Sequence, residues 1–230
     1  MRSPIFAAFG LVASLAAGAA AHASDVAHPA VVELFQSQGC SSCPPANANL
    51  LALEAKRPDI LALSWQVTYW DNLGWKDTFS KPAFTERQWQ YARGLHHDNV
   101  GTPQVVVNGR ADTIGSQPGE IEALVQRADR GDSGPQVNIS GGKVSVGAGK
   151  GRADVVLVRY DPNIVQVPIR AGENNGKTLP HRNVVHDVIR LGAWDGAAHT
   201  YALPETHDGL KSAVLVQAGP GGVILAAARG

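Results

Sequence analysis

The feature that most constrains this chain is a change of period part-way along it. Up to about residue 130, short β-rich apolar runs alternate with helix-forming segments. After Gly131-Asp132-Ser133-Gly134-Pro135 the spacing is that of strands alone. In the first half, Val31-Val32-Glu33-Leu34-Phe35 reads as a buried strand, stopped by Gln36-Ser37-Gln38-Gly39. Helix formers run from about Ala46 to Arg57, with Leu50, Leu51 and Leu53 supplying an apolar face until Pro58 intervenes. Ile60 to Trp65 gives a second strand. Ser80 caps a predicted helix over about 82–93, with Phe84, Gln88 and Tyr91 on one face. Apolar runs at 105–107 and 111–114 flank Asn108-Gly109-Arg110, a hairpin signal. Ser116 then caps a helix to about Arg130, with Ile121, Leu124, Val125 and Ala128 at helical spacing. One central sheet with helices on its faces would bury all of these stripes.

Beyond residue 134, pairs such as Val137/Ile139, Val144/Val146, Val155/Leu157 and Val214/Val216 alternate with polar residues. Seven or so short strands between Gly, Asn, Asp and Pro turns predict a small all-β sandwich-like domain. Pro168 places its strand at an edge or bulge. The stretch 171–183 is a long polar excursion that could be a loop over the first domain. The expected organisation is a signal peptide over 1–23, an α/β domain over 24–133 and the β domain over 134–230. The connector between the domains is short, so they should touch.

The front of the chain sets the compartment. Met1-Arg2, a short apolar stretch and the Ala21-His22-Ala23 cleavage pattern read as a secretory signal peptide, with no later segment able to span a bilayer. The mature protein is therefore expected in the periplasm or outside the cell, without stable membrane insertion. Lys+Arg and Asp+Glu stand at 20 each, and cleavage removes only Arg2, leaving one net negative charge. That balance argues against a nucleic-acid partner. With 44% apolar and 17% charged residues the chain is a folding one, not a disordered one. Its 2 Cys allow one intrachain disulfide, in a compartment where disulfides persist.

Gly39-Cys40-Ser41-Ser42-Cys43-Pro44-Pro45 lies between the first strand and the first helix. A C-x-x-C alone is also compatible with half a zinc site or a structural bridge. At a helix start, unpaired N–H groups favour the thiolate of the first Cys, and two intervening residues let the second thiol attack a mixed disulfide left by the first. Pro44 and Pro45 are tolerable only near the helix start, so the helix should begin around Cys43 with Cys40 on an exposed lip.

This segment, with the strand–helix order over 31–130, resembles the thioredoxin superfamily with a helical insertion. More narrowly, Glu33-Leu34-Phe35 through Cys43-Pro44-Pro45, the stretch Tyr69-Trp70-Asp71-Asn72-Leu73-Gly74-Trp75, and Gly172-Glu173-Asn174 look like the exported, thioredoxin-like DUF1223 family. The resemblance implies that Pro103 is a cis-proline beside the reactive Cys40 and that the backbone of Thr102 pairs with a peptide substrate. It implies nucleophilic Cys40, resolving Cys43 and, one residue out of register, Glu33 as the buried acid that moves the proton of Cys43. Ser41-Ser42 departs from the Gly-Pro pair of ordinary thioredoxins, so their redox potential and partners do not carry over. Trp70, Asp71 and Trp75 leave the carboxyl end of a central strand, where they could wall a substrate site or pack in the core. No cofactor is implied. An exported thiol–disulfide oxidoreductase acting on protein or small thiols is the leading reading. The alternatives are a copper or zinc metallochaperone or assembly protein, using Cys40, Cys43 and His96, and a non-enzymatic interaction module with a structural disulfide. His181, His186, His199 and His207 show no metal-ligand spacing.

Overall fold

Two strands at the centre of the sheet, β1 (Ala30–Gln36) and β2 (Ile60–Gln66), are buried at every position. Burial on both faces is what a parallel pair beneath covering layers requires. They run parallel from Ala30 opposite Ile60 to Gln36 opposite Gln66, with α1 (Cys43–Glu54) as the crossover. The computed structural model that shows this describes residues 24–206 and 209–230. The expected signal peptide and His207 lie outside those residues. Among the described residues no helix is long and apolar enough to cross a membrane.

Next come α2 (Pro82–Gly94), the antiparallel strands β3 (Gln104–Val107) and β4 (Ala111–Thr113), and α3 (Glu120–Arg127). β3 lies against β1, and β4 against β3. The β3–β4 turn puts Asn108 at φ 50° and Gly109 at φ 61°, the left-handed pair that an Asn-Gly hairpin supplies. Side-chain alternation along β1 divides the packing. Val32 and Leu34 meet Leu50 of α1 and Leu124 of α3, whereas Val31 and Phe35 meet Phe84 and Tyr91 of α2. Helix ends depart from the expectations in all three helices. α1 closes at Glu54, short of Arg57. α2 is entered through Lys81, because the Ser80 hydroxyl is donated to Asp71. α3 starts after Gly119 (φ 83°), because Pro118-Gly119 breaks the turn that Ser116 would have capped.

The second half supplies β5 (Val137–Ser140), β6 (Lys143–Val146), β7 (Ala153–Asp161), β8 (Val165–Pro168), β9 (Thr178–His181), β10 (Val184–Trp194), β11 (His199–Ala202), β12 (Lys211–Gln217) and β13 (Ile224–Arg229). These do not close into a sandwich of their own. Four of them continue the first sheet, whose order is β13-β12-β7-β10-β2-β1-β3-β4. The seam is β10 against β2, parallel, with Val184 opposite Ser64 and the Ser64 N–H donating to the Asn183 carbonyl at 2.9 Å. A three-stranded sheet, β11-β6-β5, packs through Val144 and Val146 on Val155, Leu157, Val214 and Val216. β8 and β9 form a separate antiparallel ribbon, so Pro168 does sit on an edge. The reason for the correction is physical: alternation along a strand reports which faces are buried and is silent on which open edge the strand joins. The protein is therefore mixed α/β, with one large mixed sheet and few helices.

α2 straddles the seam, since its cluster joins Phe35 and Trp65 to Val158, Val185 and Leu215. Within that layer Glu33 is fully buried and paired with Arg87, which donates from Nε to Oε1 at 2.7 Å and from Nη2 to Oε2 at 3.0 Å. Tyr91 donates its hydroxyl to Glu33 Oε2, and Arg87 Nη1 donates to Gln217 Oε1 at 3.1 Å. The guanidinium stacks over Trp65 at 4.9 Å and Tyr91 at 5.1 Å. Burial opposes the charge on Arg87, but the Glu33 carboxylate more than offsets this and raises its pKa. Removing one partner leaves the other charge buried and unpaired, which costs about 3–5 kcal/mol. Glu33→Ala is therefore expected to lower unfolding free energy by that amount in urea titration. A change below about 1 kcal/mol would show that the buried pair contributes little to stability.

Candidate redox site

Two turns of chain leave the carboxyl ends of β1 and β2 on the same side of the sheet and meet there. After β1, Ser37 to Ser42 turns into α1, whose first residue is Cys43; Pro44 and Pro45 follow in the first turn, where no N–H partner is needed. Cys40 and Cys43 are joined as a disulfide, with Cα atoms 5.5 Å apart. Cys40 Sγ lies 3.3 Å from Ser42 Oγ and 3.7 Å from the Thr102 carbonyl oxygen. The Thr102–Pro103 peptide bond is cis. After β2, the loop through 70–80 sends Trp70 Nε1 to Thr102 Oγ1 (2.7 Å) and Trp75 Nε1 to Gln38 Oε1 (2.9 Å). The two indoles thus pin the segments on either side of the disulfide.

Several expected residues are placed differently. Cys40 is 0% exposed and Cys43 1%, so the first sulfur is not on an open lip. Glu33 points to the α2 face and is held by Arg87, whereas Val32 and Leu34 share the α1 face that carries Cys43. The one-residue offset in register puts its carboxylate on the wrong side of the sheet to serve Cys43. Asp71 is spent inside its loop, accepting from the Asp77 N–H (3.2 Å) and the Ser80 hydroxyl (2.7 Å). His96 is exposed at the end of α2, and neighbouring His97 faces Asp112 at 3.0 Å. Among the described residues no group of three or more His, Cys, Asp or Glu side chains is gathered for a metal ion. The Cys40, Cys43 and His96 set is therefore not assembled.

The second half of the chain straps the backbone that carries the disulfide. The stretch joining β8 to β9 crosses the start of α1. Asn174, itself 0% exposed, donates from Nδ2 to both the Gln38 and Cys40 carbonyls, each at 2.9 Å. Glu173 Oε2 accepts from the Ser41 N–H at 3.0 Å, placing a carboxylate on a donor of the helix start. The Ser41 hydroxyl and amide together hold the Glu173 carboxyl below its usual range. Gly172 (φ 71°) makes the turn against Trp75, whose Cβ would stand 3.2 Å from any Cβ placed there. The Glu-Asn pair was visible in the sequence as a motif; its position over Cys40 was not. Gln38 and Asp77 carried no signal at all. Asp77 is buried and accepts from the Gln38 N–H at 2.7 Å and the Phe79 N–H at 2.9 Å. Burial pushes its pKa up to about 6.

An open cleft of about 700 Å³ runs from Ser42 past Gly101, Thr102, Pro103 and Gln104 to Ile114. It follows β4, one of the two edge strands of the large sheet.

With this geometry in view, the sequence matches the family described as "Protein of unknown function (DUF1223)" over residues 31–217. The chain belongs to the DUF1223 family. A similar solved structure is the crystal structure of protein AGR_C_4864 from Agrobacterium tumefaciens, at 34% identity and TM-score 0.73, covering 87% of this chain and 92% of that one. HBP35 of Porphyromonas gingivalis shares the fold at 16% identity and TM-score 0.63, over 88% of this chain and 74% of its own. No curated protein matches. The DUF1223 match spans both halves of the chain, in keeping with a sheet that runs through both.

Two measurements probe the cover. Two hydrogen bonds from Asn174, each worth about 1 kcal/mol, hold the strap to the disulfide segment. Asn174→Ala is expected to speed reduction by dithiothreitol about tenfold, as read by quenched alkylation and mass; an unchanged rate would mean the strap does not limit access. Asp77 behaves oppositely to an ion-paired carboxylate. Its pKa is raised to about 6 in the folded protein, above the unfolded value near 3.9, so stability falls as pH rises from about 4 to about 6. Urea midpoints should show this decline in the wild type and a flatter profile in Asp77→Asn.

Proposed function

We propose that this DUF1223 protein is a thioredoxin-like thiol–disulfide oxidoreductase that works after export, on protein or small-thiol substrates. One observation carries the reading: the Cys40–Cys43 disulfide stands at the start of α1 with the carbonyl preceding cis-Pro103 beside Cys40. The order β2-β1-β3-β4, with β1 and β2 parallel and the hairpin antiparallel, supports the thioredoxin-like assignment of the first half. The fold shared with HBP35 bears on architecture alone.

In the proposed reaction the Cys40 thiolate attacks one sulfur of a substrate disulfide, breaking that bond and expelling the other sulfur as a thiolate, and Cys43 then attacks Cys40 and displaces the bound substrate sulfur as a second thiolate. The reverse sequence passes an oxidised pair to a dithiol. α1 contributes N–H groups that favour the thiolate, and the Ser42 hydroxyl is placed to donate to it. The cleft along Thr102, Pro103 and the β4 edge is where an extended peptide would lie. Trp70 fixes Thr102 there, and Trp75 fixes Gln38 beneath the strap, so both tryptophans act by positioning. Because Cys40 is buried, exchange on this reading requires its segment to move, and release of the 172–175 strap would free the Ser41 N–H and the Gln38 and Cys40 carbonyls that hold it. The expected leader at 1–23 supports an oxidising compartment for this chemistry.

Cys40→Ser is expected to abolish exchange, whereas Cys43→Ser should accumulate a mixed disulfide between Cys40 and its substrate, captured by acid quench and identified by mass. Failure to form any Cys40 adduct with either a peptide disulfide or glutathione disulfide would leave the pair a structural bridge.

A further inference from the structure

Glu33 leaves the proton of Cys43 without an acceptor, and the molecule holds another candidate. On the side of α1 facing the β8–β9 ribbon is a cavity of about 190 Å³, lined by Cys43, Gln36, Asn47, Leu179 and His181 among others. Its amide groups are bonded to one another, to the Ser64 hydroxyl and to backbone. Gln36 Nε2 donates to Asn47 Oδ1 at 3.2 Å and to Ser64 Oγ, and Asn47 Nδ2 donates to the Pro180 carbonyl at 2.8 Å. His181, the last residue of β9, is only 2% exposed, and both its ring nitrogens lack a hydrogen-bond partner. A buried polar group is nearly always paired, and orphaned nitrogens on a residue lining the same cavity as Cys43 call for a reason. Phe79 packs its ring against the imidazole at 6.1 Å, with His186 beyond it on the same phenyl ring. Burial alone pushes the His181 pKa down to about 4, with no charged neighbour contributing, so the ring is neutral at pH 7 with a free lone pair, and it can hold the Cys43 proton only while its imidazolium is paired with the thiolate formed across the cavity.

We infer that His181 is the proton acceptor for Cys43 during the resolving step, acting across the cavity they share. This rests on the exchange reading above and adds the base it lacks. With Cys40 bonded to a substrate sulfur, the Cys43 S–H gives its proton to the neutral imidazole, directly or through water, for which the cavity has room. The Cys43 thiolate then attacks Cys40 Sγ. The Cys40–Cys43 bond forms, the Cys40–substrate bond breaks, and its electron pair departs on the substrate thiolate. The substrate disulfide is thereby reduced and the protein dithiol oxidised. The imidazolium afterwards loses its proton to solvent as the strap opens. Burial of Cys43 is no obstacle, because this thiol attacks only within the molecule.

The test uses the reduced full chain and excess 5,5′-dithiobis(2-nitrobenzoic acid), which releases one coloured thiolate on attack by Cys40 and a second on resolution by Cys43. In the wild type the second phase should have its pH midpoint below the ordinary thiol range, which centres near 8.5. His181→Gln should slow that phase about tenfold or more at pH 7 and move its midpoint up to that range. Added imidazole should restore the rate in His181→Ala. A second phase in His181→Gln with wild-type rate and midpoint would overturn the inference while leaving the exchange reading intact. Absence of both phases in the wild type would instead overturn the exchange reading. Should the variants not fold, NMR titration of the wild type decides: the His181 pKa should differ between disulfide and dithiol forms, and identical values would overturn the assignment.

Discussion

The parallel seam between β2 and β10 is the constraint on which the rest of the molecule depends. It rests on one register pair, Val184 with Ser64, and on the Ser64 amide bonded to the Asn183 carbonyl. So short a ladder could not hold two halves together by its own hydrogen bonds, each worth about 1 kcal/mol net. The covering layer reinforces it. α2 lies across the seam with Phe84 and Tyr91 against residues of both halves, and Arg87 links Glu33 on β1 to Gln217 on β12. A guanidinium with its carboxylate, a tyrosine hydroxyl and an amide leaves little of that buried charge unsatisfied.

Once the seam is made, the position of the site cover follows. β9 ends two residues before Asn183, so the β8–β9 ribbon is delivered to the side of the sheet where β1 and β2 end. There its connecting segment meets the start of α1, and β9 itself meets the flank of α1 near Cys43. The second half thus contributes on two sides of the cysteine pair: Glu173 and Asn174 above Cys40, His181 beside Cys43. On the proposed reading these are opposed demands. The strap holds down the segment whose sulfur must meet the substrate, while the ribbon flanks the sulfur that need not.

The covering contacts suit a device that opens. Glu173 is surface-exposed and bonds through its carboxylate to a backbone amide, an interaction that water readily replaces. Asn174 is the anchor, fully buried and bonded to two carbonyls. Gln38, gripped from one side by Asn174 and from the other by Asp77 and Trp75, connects the strap to the loop after β2. The strap is thereby joined through Gln38 to the tryptophan-bearing loop that also fixes Thr102 beside Cys40.

By itself the sequence determined the local structure of the first half. Period, Pro and Gly placement and the Asn-Gly turn specify β1, α1, β2, α2 and the β3–β4 hairpin within a few residues, because these signals act over short chain distances. It also located the cysteine pair at the start of α1 and marked Glu173 and Asn174 as unusual. Tertiary structure alone decided which edge the later strands joined, which face Glu33 took and what lay over Cys40. Strand alternation is the same whether a strand pairs with its sequence neighbour or with β2, and a one-residue register difference reverses a side chain without altering the pattern. His181 was one unremarkable histidine among several in the sequence. Only the packing of β9 against α1, more than a hundred residues away along the chain, gave its ring a cavity in common with Cys43.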